Sequence, residues 1–242
     1  MLRAVLFDLG GTLDGSGLHW LDRFVEQYAR AGATLPRETI RAAFDAAERL
    51  AATDDAIVSA RLDEMVYRHV GWQLEELSRS GMVHHVGPDR ERFRERVVSG
   101  FVGPVRVAAK ASVGLLATLK SRGLQLGVVS NACGNAEQLC NDLGFMPYLS
   151  LVVDSRRVGL SKPNPAIYAY AMERIGLPAS AIMMVGDSFE RDIRPARSLG
   201  MQTAWLEGAT DQSCPDRSCV DVSLRALADL AAALDARSRT VA

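Results

Sequence analysis

Apolar residues follow two different patterns along this chain. Residues 4–7 form a short apolar run that ends at Asp8 and two glycines, which is typical of a buried strand followed by a tight turn. Residues 18–101 instead carry apolar side chains at helical spacing. After Pro104, short apolar runs alternate with helical stretches. The change in pattern predicts an α/β unit interrupted by a helical insertion.

Three amphipathic helices are predicted within the insertion. In each, apolar residues recur three or four positions apart, the spacing that places them on one helix face. The three stripes are Leu21, Phe24, Val25 and Tyr28; Ile40, Ala43, Phe44 and Ala47; and Leu62, Met65, Val66, His69 and Val70. We therefore expect residues 15–104 to be all-helical, with residues 1–14 and 105–242 forming the α/β core.

The segment after Pro104 alternates between predicted strands and helices. Strands are predicted at 124–130, 151–154, 182–185 and 203–206, and helices at 134–143, 165–175, 193–199 and 224–234. This alternation predicts a parallel sheet with helices on both faces, a doubly wound α/β fold. Such sheets bind their ligands at the carboxyl ends of the strands.

The composition narrows the classes of partner. Of the 242 residues, 48% are hydrophobic and 24% charged, and the formal net charge is −1, so nothing favours nucleic acid or an anionic membrane. No apolar run approaches a membrane-spanning length. Four cysteines are too few for a disulfide framework, so we expect a cytoplasmic protein with Cys214 and Cys219 as free surface thiols. The oligomeric state, monomer or homodimer, is left open.

Polar residues collect where the predicted strands end. Asp8 follows the first strand, Ser130 and Asn131 end the second, and Asp187 follows the fourth. Lys162, one of three lysines in an arginine-rich chain, precedes a predicted helix. Two carboxylates with an ammonium group, a hydroxyl and glycine-loop amides suit Mg²⁺ and a phosphoryl group. Mg²⁺ prefers hard oxygen ligands, while cations and N–H groups bind phosphate oxygens.

Four motifs occur in the order found in the haloacid dehalogenase superfamily, which the chain resembles. They are residues 7–13 (Phe-Asp-Leu-Gly-Gly-Thr-Leu), 129–131, 162–163 and 185–192. Residues 162–168 resemble the corresponding stretch of the superfamily's small-molecule phosphatases with a helical cap. The resemblance implies a Rossmann-like core with an inserted helical cap. It also implies Mg²⁺-dependent hydrolysis of a small phosphorylated metabolite.

The resemblance further implies a role for each motif residue. Asp8 is the nucleophile that forms an aspartyl-phosphate, and Ser130 and Lys162 act on the phosphoryl group. The implied phosphate-binding set is Gly11, Thr12, Ser130, Asn131 and Lys162; the implied metal ligands are Asp8, the Gly10 backbone carbonyl and Asp187, with Asp192 orienting the metal ligands or Lys162. From the residues alone, Ser130 could be an ordinary loop residue and Asp192 a helix N-cap.

Gly10 departs from the superfamily's phosphatase pattern. Related phosphatases carry a second Asp there, which protonates the leaving group and then activates water. Such acid–base help is worth about 10²–10⁴ in rate, against the ~10⁶-fold or greater total acceleration of enzymes. Since glycine keeps its backbone carbonyl, we expect weakened catalysis or a substrate with an easy leaving group. Asp14 and His19 are the candidate substitute acids.

Three other functions are alternatives to phosphatase activity. Phosphonate-cleaving relatives use a lysine of the cap. Residues 15–104 contain no lysine, which excludes this function. A 2-haloacid dehalogenase uses the Asp8 carboxylate without metal and usually has an aromatic residue in place of Gly10, whereas residues 185–192 look like a metal site. A catalytically silent protein that binds a phosphorylated ligand is the third alternative. Phosphatase activity is the preferred prediction.

The insertion is expected to close over the site as a lid and to supply side chains that read the substrate. The candidates are His19, Trp20, Arg23, Tyr67, Trp72 and the pair His84-His85, with the aromatic residues expected to pack mainly within the insertion itself. The predicted hinges are Gly15 and Gly17 on one side, and Gly100, Gly103 and Pro104 on the other.

Overall fold

A six-stranded parallel sheet is at the centre of the molecule. The structure is a computed structural model that describes residues 1–15, 17–82, 84, 89–208 and 214–240. The strands are β1 (Ala4–Phe7), β2 (Gln125–Ser130), β3 (Leu151–Asp154), β4 (Ile182–Gly186), β5 (Gln202–Leu206) and β6 (Val222–Leu224). Their order is β3-β2-β1-β4-β5-β6, and every neighbouring pair is parallel. This arrangement confirms the predicted doubly wound, Rossmann-like α/β fold.

Apolar side chains on both faces of the sheet are covered by helices. The helices after β2 are α5 (Ala136–Asp142), α6 (Ser155–Val158), α7 (Ala166–Ile175), α8 (Arg194–Ser198) and α9 (Leu230–Thr240). On one face Leu6 and Met184 pack with Ile167 and Tyr168 of α7. On the other face the buried residues of β1 and β4 join the larger core that also includes the helical segment. Burial on both faces explains why the strands are continuously apolar rather than alternating.

Four α-helices lie between β1 and β2 in the described part of the chain, and the helical spacing predicted the first three. They are α1 (Trp20–Arg30), α2 (Arg37–Ala51), α3 (Leu62–Arg79) and α4 (Arg90–Ser121). The predicted stripes are their buried faces: Phe24, Phe44 and Val66, for example, belong to one apolar core with Phe101 of α4. The separation into a core and a cap at residues 14/15 and 104/105 stays a prediction.

Helix α4 differs from the expectation of a break near Pro104. One helix runs through Gly100, Gly103 and Pro104, so these predicted hinge positions lie within continuous helix. Proline removes one i→i−4 hydrogen bond, but Phe101 and Val105 on either side of this position are buried and hold the helix in place. By length and composition alone α4 could cross a membrane, contrary to the expectation from the sequence, although a single helix of this kind is weak evidence.

The elements that follow β5 differ from the sequence-based prediction. Residues 224–234 were expected to form one helix, whereas the structure has the strand β6, a 3₁₀ turn at Leu227–Asp229 and then α9. Strand β6 has three residues, too few to show a periodic pattern in sequence. Its pairing with β5 is a tertiary contact, and that pairing defines it as a strand.

Candidate active site

Parallel register brings the ends of three strands together. Phe7 is paired with Val128 of β2 on one side and with Val185 of β4 on the other. Asp8 therefore lies between the carboxyl ends of β2 and β4. The strand order reverses at this point, which is where open α/β sheets form their ligand crevice.

The turn after Asp8 is held against the end of β4. Gly11 has a φ of 93°, and a Cβ atom there would lie 2.7 Å from Asp187 Oδ2, so both the backbone and the contact require glycine. Thr12 Oγ1 donates to Asp187 Oδ1 at 3.1 Å and accepts from the Asp187 N–H at 3.1 Å. These bonds tie the turn that carries Asp8 to the loop that carries Asp187.

Lys162 joins two of the acids. Its Nζ lies 2.6 Å from Asp8 Oδ1 and 2.7 Å from Asp192 Oδ1, and its side chain is 3% exposed. Burial acts to lower the lysine pKa, but the charges of Asp192 and Asp8 outweigh it and raise the pKa of Lys162 above its usual value. The lysine is therefore an ammonium ion that links the predicted nucleophile to Asp192.

Asp192 is placed by the backbone around it rather than by a helix end. Its Oδ2 accepts from the Ser188 N–H at 3.1 Å, while its Oδ1 accepts from Lys162. A Cβ on Gly186 would overlap the Asp192 carboxylate, so glycine at the end of β4 allows the approach. Helix α8 begins two residues later with Ile193 as its N-cap, so Asp192 is not the N-cap residue.

Three carboxylates converge at this point with an excess of negative charge. Oxygens of Asp8, Asp187 and Asp192 lie within 4.8 Å of one another. Burial, followed by the charges of Asp8 and Asp192, raises the pKa of Asp187 to about 8. Lys162 supplies one positive charge to the three acids. A buried set of hard oxygen atoms with uncompensated charge fits a divalent cation such as Mg²⁺.

Asn131 holds the loop that carries Lys162. Its Nδ2 donates to the Lys162 carbonyl at 2.9 Å, and its Oδ1 accepts from the Lys162 N–H at 2.8 Å. The reciprocal pair fixes the lysine backbone relative to the end of β2. Ser130, the last residue of β2, is buried and lines the same cavity as Asp8 and Lys162.

The two candidate substitute acids are in different surroundings. Asp14 is buried, and each of its carboxylate oxygens accepts a hydrogen bond. Oδ1 accepts from the Gly11 N–H at 2.6 Å, and Oδ2 accepts from Trp20 Nε1 at 2.7 Å. Burial raises the pKa of Asp14. His19 does line the cavity, but burial and then Arg191 lower its pKa to about 4. His19 is thus neutral near pH 7, and its Nδ1 accepts from the Leu21 N–H at the start of α1.

A cavity of about 310 Å³ opens over Asp8 and Lys162. Its floor consists of residues at and after the strand ends, and helices α1, α2, α3 and α5 supply the rest of its wall. The lining residues that sequence analysis missed include Phe44, Asp45, Glu48, Met65, Asn135 and Arg191. The sequence contains a weak signal for two of these lining residues, because Asp45 and Glu48 are acids one turn apart beside the apolar stripe of α2.

The remaining residues that were predicted to contact the substrate lie away from Asp8 or support the fold. Arg23 donates to the Asp14 carbonyl at 3.0 Å and stacks near Phe101, while Tyr67 is exposed and carries the Arg94 guanidinium over its ring. Trp72 packs against the main core, and His85 lies outside the described residues. Cys214 and Cys219 are free thiols, as predicted, but are partly buried beside Phe189 and Trp205 rather than fully on the surface.

Comparison with known proteins agrees with the motif order. The haloacid dehalogenase-like hydrolase family model matches residues 2–200. The chain is 41% identical over 88 residues to haloacid dehalogenase-like hydrolase domain-containing protein 3 of Danio rerio, covering 35% of this chain and 36% of that protein. It is 33% identical over 117 residues to glyceraldehyde 3-phosphate phosphatase of Methanocaldococcus jannaschii, covering 48% of this chain and 51% of that protein. The matched segments thus span about half or less of these curated relatives.

The fold is also that of solved structures of this group. The 2-haloacid dehalogenase from Pseudomonas syringae superposes with a TM-score of 0.52 at 21% identity, covering 97% of this chain and 99% of that one. At this identity the likeness concerns the fold alone. Because the family model covers most of the chain, this protein belongs to the haloacid dehalogenase-like hydrolase family.

Proposed function

We propose that this protein is a Mg²⁺-dependent phosphatase that hydrolyses a small phosphorylated metabolite through an aspartyl-phosphate on Asp8. The observation that carries the proposal is the buried contact of Lys162 with both Asp8 and Asp192, beside the carboxylate of Asp187. It supplies an oriented nucleophile, a fixed cation and oxygen ligands for a metal. The phosphatase named among the relatives supports the same reaction class. A cytoplasmic location stays a prediction.

The first chemical step assigned to this site is displacement at phosphorus. An Asp8 oxygen forms the new bond to phosphorus as the ester P–O bond breaks, and the leaving alcohol takes the electron pair. Lys162 holds Asp8 Oδ1 at 2.6 Å, and the Asp8 side chain, 11% exposed, faces the cavity through its remaining surface. A bound Mg²⁺, held by Asp8, Asp187 and the Gly10 carbonyl, would supply charge stabilisation for the phosphoryl oxygens.

The second step is hydrolysis of the aspartyl-phosphate. Water attacks phosphorus and the Asp8 carboxylate is regenerated. Both steps need proton transfer, and Gly10 provides no side chain for it. Asp14 is engaged at both oxygens and His19 is neutral, so neither is placed as an efficient acid at neutral pH. The proposal therefore includes slow turnover of alkyl phosphates and faster turnover of esters whose leaving groups need no protonation.

Phosphate release from acetyl phosphate and p-nitrophenyl phosphate tests the proposal directly. Both have good leaving groups, so a missing general acid affects them least. We expect Mg²⁺-dependent release, lowered by on the order of 10³-fold or more in Asp8→Asn, which keeps the side-chain size but removes the nucleophile. Release that is equal in Asp8→Asn, or that needs no divalent cation, would contradict the proposal.

One observation favours a second function, a catalytically silent protein that binds a phosphorylated ligand. The position of the usual acid–base residue is Gly10, and the Trp20 indole occupies the adjacent space. In that case no activated ester would be hydrolysed, while inorganic phosphate with Mg²⁺ would still raise the melting temperature. A metal-independent dehalogenase would instead release halide from 2-chloropropionate in the presence of a chelator.

A further inference from the structure

A chain of polar side chains crosses the apolar helical segment and ends at the cavity. Glu48 Oε1 lies 3.0 Å from His69 Nε2, and His69 Nδ1 lies 2.7 Å from Gln73 Nε2. A carboxylate can only accept, so His69 Nε2 donates to Glu48. In the neutral ring Nδ1 then accepts, and the Gln73 amide donates to it. The three side chains form one directed hydrogen-bond chain.

These hydrogen-bonded side chains lie in apolar surroundings, where polar groups are uncommon. His69 and Gln73 are fully buried, and the His69 ring stacks on Phe24 and packs against Phe44. Polar groups in such an apolar bundle are retained when they are fully hydrogen-bonded or have a specific role. Here their effect is to fix one oxygen of Glu48. The Glu48 side chain is 39% exposed and lines the cavity over Asp8.

A second polar side chain in the wall of the same cavity has a buried acceptor atom without a partner among the described residues. Asn135 is fully buried and lines the cavity, and its Nδ2 lies 3.0 Å from Met65 Sδ. Its Oδ1 is buried without a hydrogen-bond partner among the described residues. A buried, unpaired acceptor is unfavourable, so a ligand that donates a hydrogen bond would satisfy it. Asn135 therefore points to a ligand independently of the acids on α2.

The charge of the cavity wall is consistent with such a ligand. Asp45 and Glu48 both line it, one turn apart on α2. The cations among its described lining residues, Lys162 and Arg191, come from the loops that follow the sheet, not from α1, α2 or α3. His19, the remaining basic side chain there, is neutral at pH 7 because burial lowers its pKa to about 4. The helical wall thus offers acceptors and negative charge.

We propose that Glu48, with Asp45 and Asn135, binds a protonated amine on the alcohol part of the substrate. The preferred substrates are accordingly phosphate monoesters of amino alcohols, and esters with a second anionic group are disfavoured. His69 and Gln73 are positioning residues that act through Glu48. This inference rests on the proposed phosphatase function for its reaction, while its recognition step can be measured without turnover.

Three esters of similar size test the substrate class. Phosphoethanolamine and 2-hydroxyethyl phosphate differ only in an ammonium or hydroxyl end, and phosphoglycolate carries a carboxylate in place of the terminal CH₂OH group. We expect kcat/KM to be about tenfold or more higher for phosphoethanolamine than for 2-hydroxyethyl phosphate, and lowest for phosphoglycolate. Glu48→Gln should remove most of this preference through KM, lowering the ratio of kcat/KM for phosphoethanolamine to that for p-nitrophenyl phosphate by about tenfold. Glu38→Gln, an exposed acid in the first turn of α2, is the matched control.

The outcomes separate this inference from the proposed function. Mg²⁺-dependent p-nitrophenyl phosphate hydrolysis without any preference for the amine would overturn the inference and leave the phosphatase intact. An equal loss for all three esters in Glu48→Gln would also overturn it. If no ester is hydrolysed, the melting temperature of Asp8→Asn, measured with and without each ester, tests the recognition step alone. Stronger stabilisation by phosphoethanolamine than by phosphoglycolate, lost on adding Glu48→Gln, supports the inference, and equal stabilisation rejects it.

Discussion

The indole nitrogen of Trp20 lies 3.3 Å from the point that a Cβ atom on Gly10 would occupy. Asp14 holds the indole there through a 2.7 Å hydrogen bond to Nε1, and the Gly11 N–H holds Asp14. The φ of Gly10 is −74°, which any residue adopts, so the backbone does not require glycine. The neighbour that a side chain at position 10 would meet is therefore Trp20.

Restoring an acid at position 10 should change substrate preference. We expect Gly10→Asp to raise the rate about tenfold or more for alkyl phosphates, which need a protonated leaving group, and little for acetyl or p-nitrophenyl phosphate. The gain should be larger when Trp20→Ala provides room for the carboxylate. Gly10→Asn is the control, since it has the same shape without a proton to transfer. Equal changes for both ester classes would contradict the proton-transfer explanation.

The raised pKa of Asp187 predicts opposite effects of metal binding and of mutation on the stability of the protein. A carboxyl pKa raised from 3.8 to about 8 means that, between these pH values, the folded state binds the proton more tightly than the unfolded state. The Asp187 contribution to the free energy of unfolding therefore falls as pH rises. Without metal, Asp187→Asn should stabilise the protein at neutral pH by about 1–2 kcal/mol.

Mg²⁺ should stabilise the unmutated protein because it binds the folded state. The gain is about 2.7 kcal/mol when the Mg²⁺ concentration is a hundred times Kd, and Asp187→Asn should lose most of it. Melting temperatures measured with EDTA and with MgCl₂ for both proteins check the two predictions together. An Asp187→Asn variant that melts lower in EDTA would contradict the first prediction, and one that responds to Mg²⁺ as the unmutated protein does would show that Asp187 is not part of a metal site.

Adding one methyl group at Gly186 should disrupt the acid–lysine network. A Cβ there overlaps the Asp192 carboxylate, which must then move away from Lys162. We expect Gly186→Ala to lower the free energy of unfolding by about 1–3 kcal/mol and to reduce phosphate release. The matched control is Gly114→Ala in α4, where a Cβ meets nothing within 4 Å; it should stabilise by about 0.5–1 kcal/mol. Urea unfolding of both variants measures the difference.

The partly buried ring of His19 predicts a pH dependence of stability. Its pKa is about 4 in the folded state, against the ordinary 6.5. Below pH 6.5 the unfolded state therefore binds a proton that the folded state does not, so stability falls as pH decreases toward 4 and then levels off. The full effect is up to about 3 kcal/mol.

The variant His19→Asn isolates this effect. Asn is a favourable N-cap and can accept from the Leu21 N–H as His19 does, but it does not titrate. The difference in free energy of unfolding between the two proteins should be constant above about pH 7 and should shift in favour of His19→Asn as pH falls to 4. A pH-independent difference would show that the ring is as protonated in the folded protein as in the unfolded one.

Much of the fold follows from local sequence. The apolar run 4–7, the repeated strand and helix signals after residue 124 and the helical stripes around Phe24, Phe44 and Val66 each depend on neighbours a few positions apart. Parallel sheets bind ligands at their carboxyl edge, so the side chains that follow β1, β2 and β4 were also expected to meet. The central set of Asp8, Lys162 and Asp187 was predictable for this reason.

Other features depended on contacts between residues far apart in the chain. The sequence by itself determined the α/β class, the helical segment after β1 and the acids and lysine at the strand ends. Only the tertiary structure showed that Trp20 fills the space beside Gly10 and that His69 lies within hydrogen-bond distance of Glu48 in the cavity wall. Periodicity reports which face of an element is buried, whereas the partner of a buried polar group is set by packing, which no local pattern encodes.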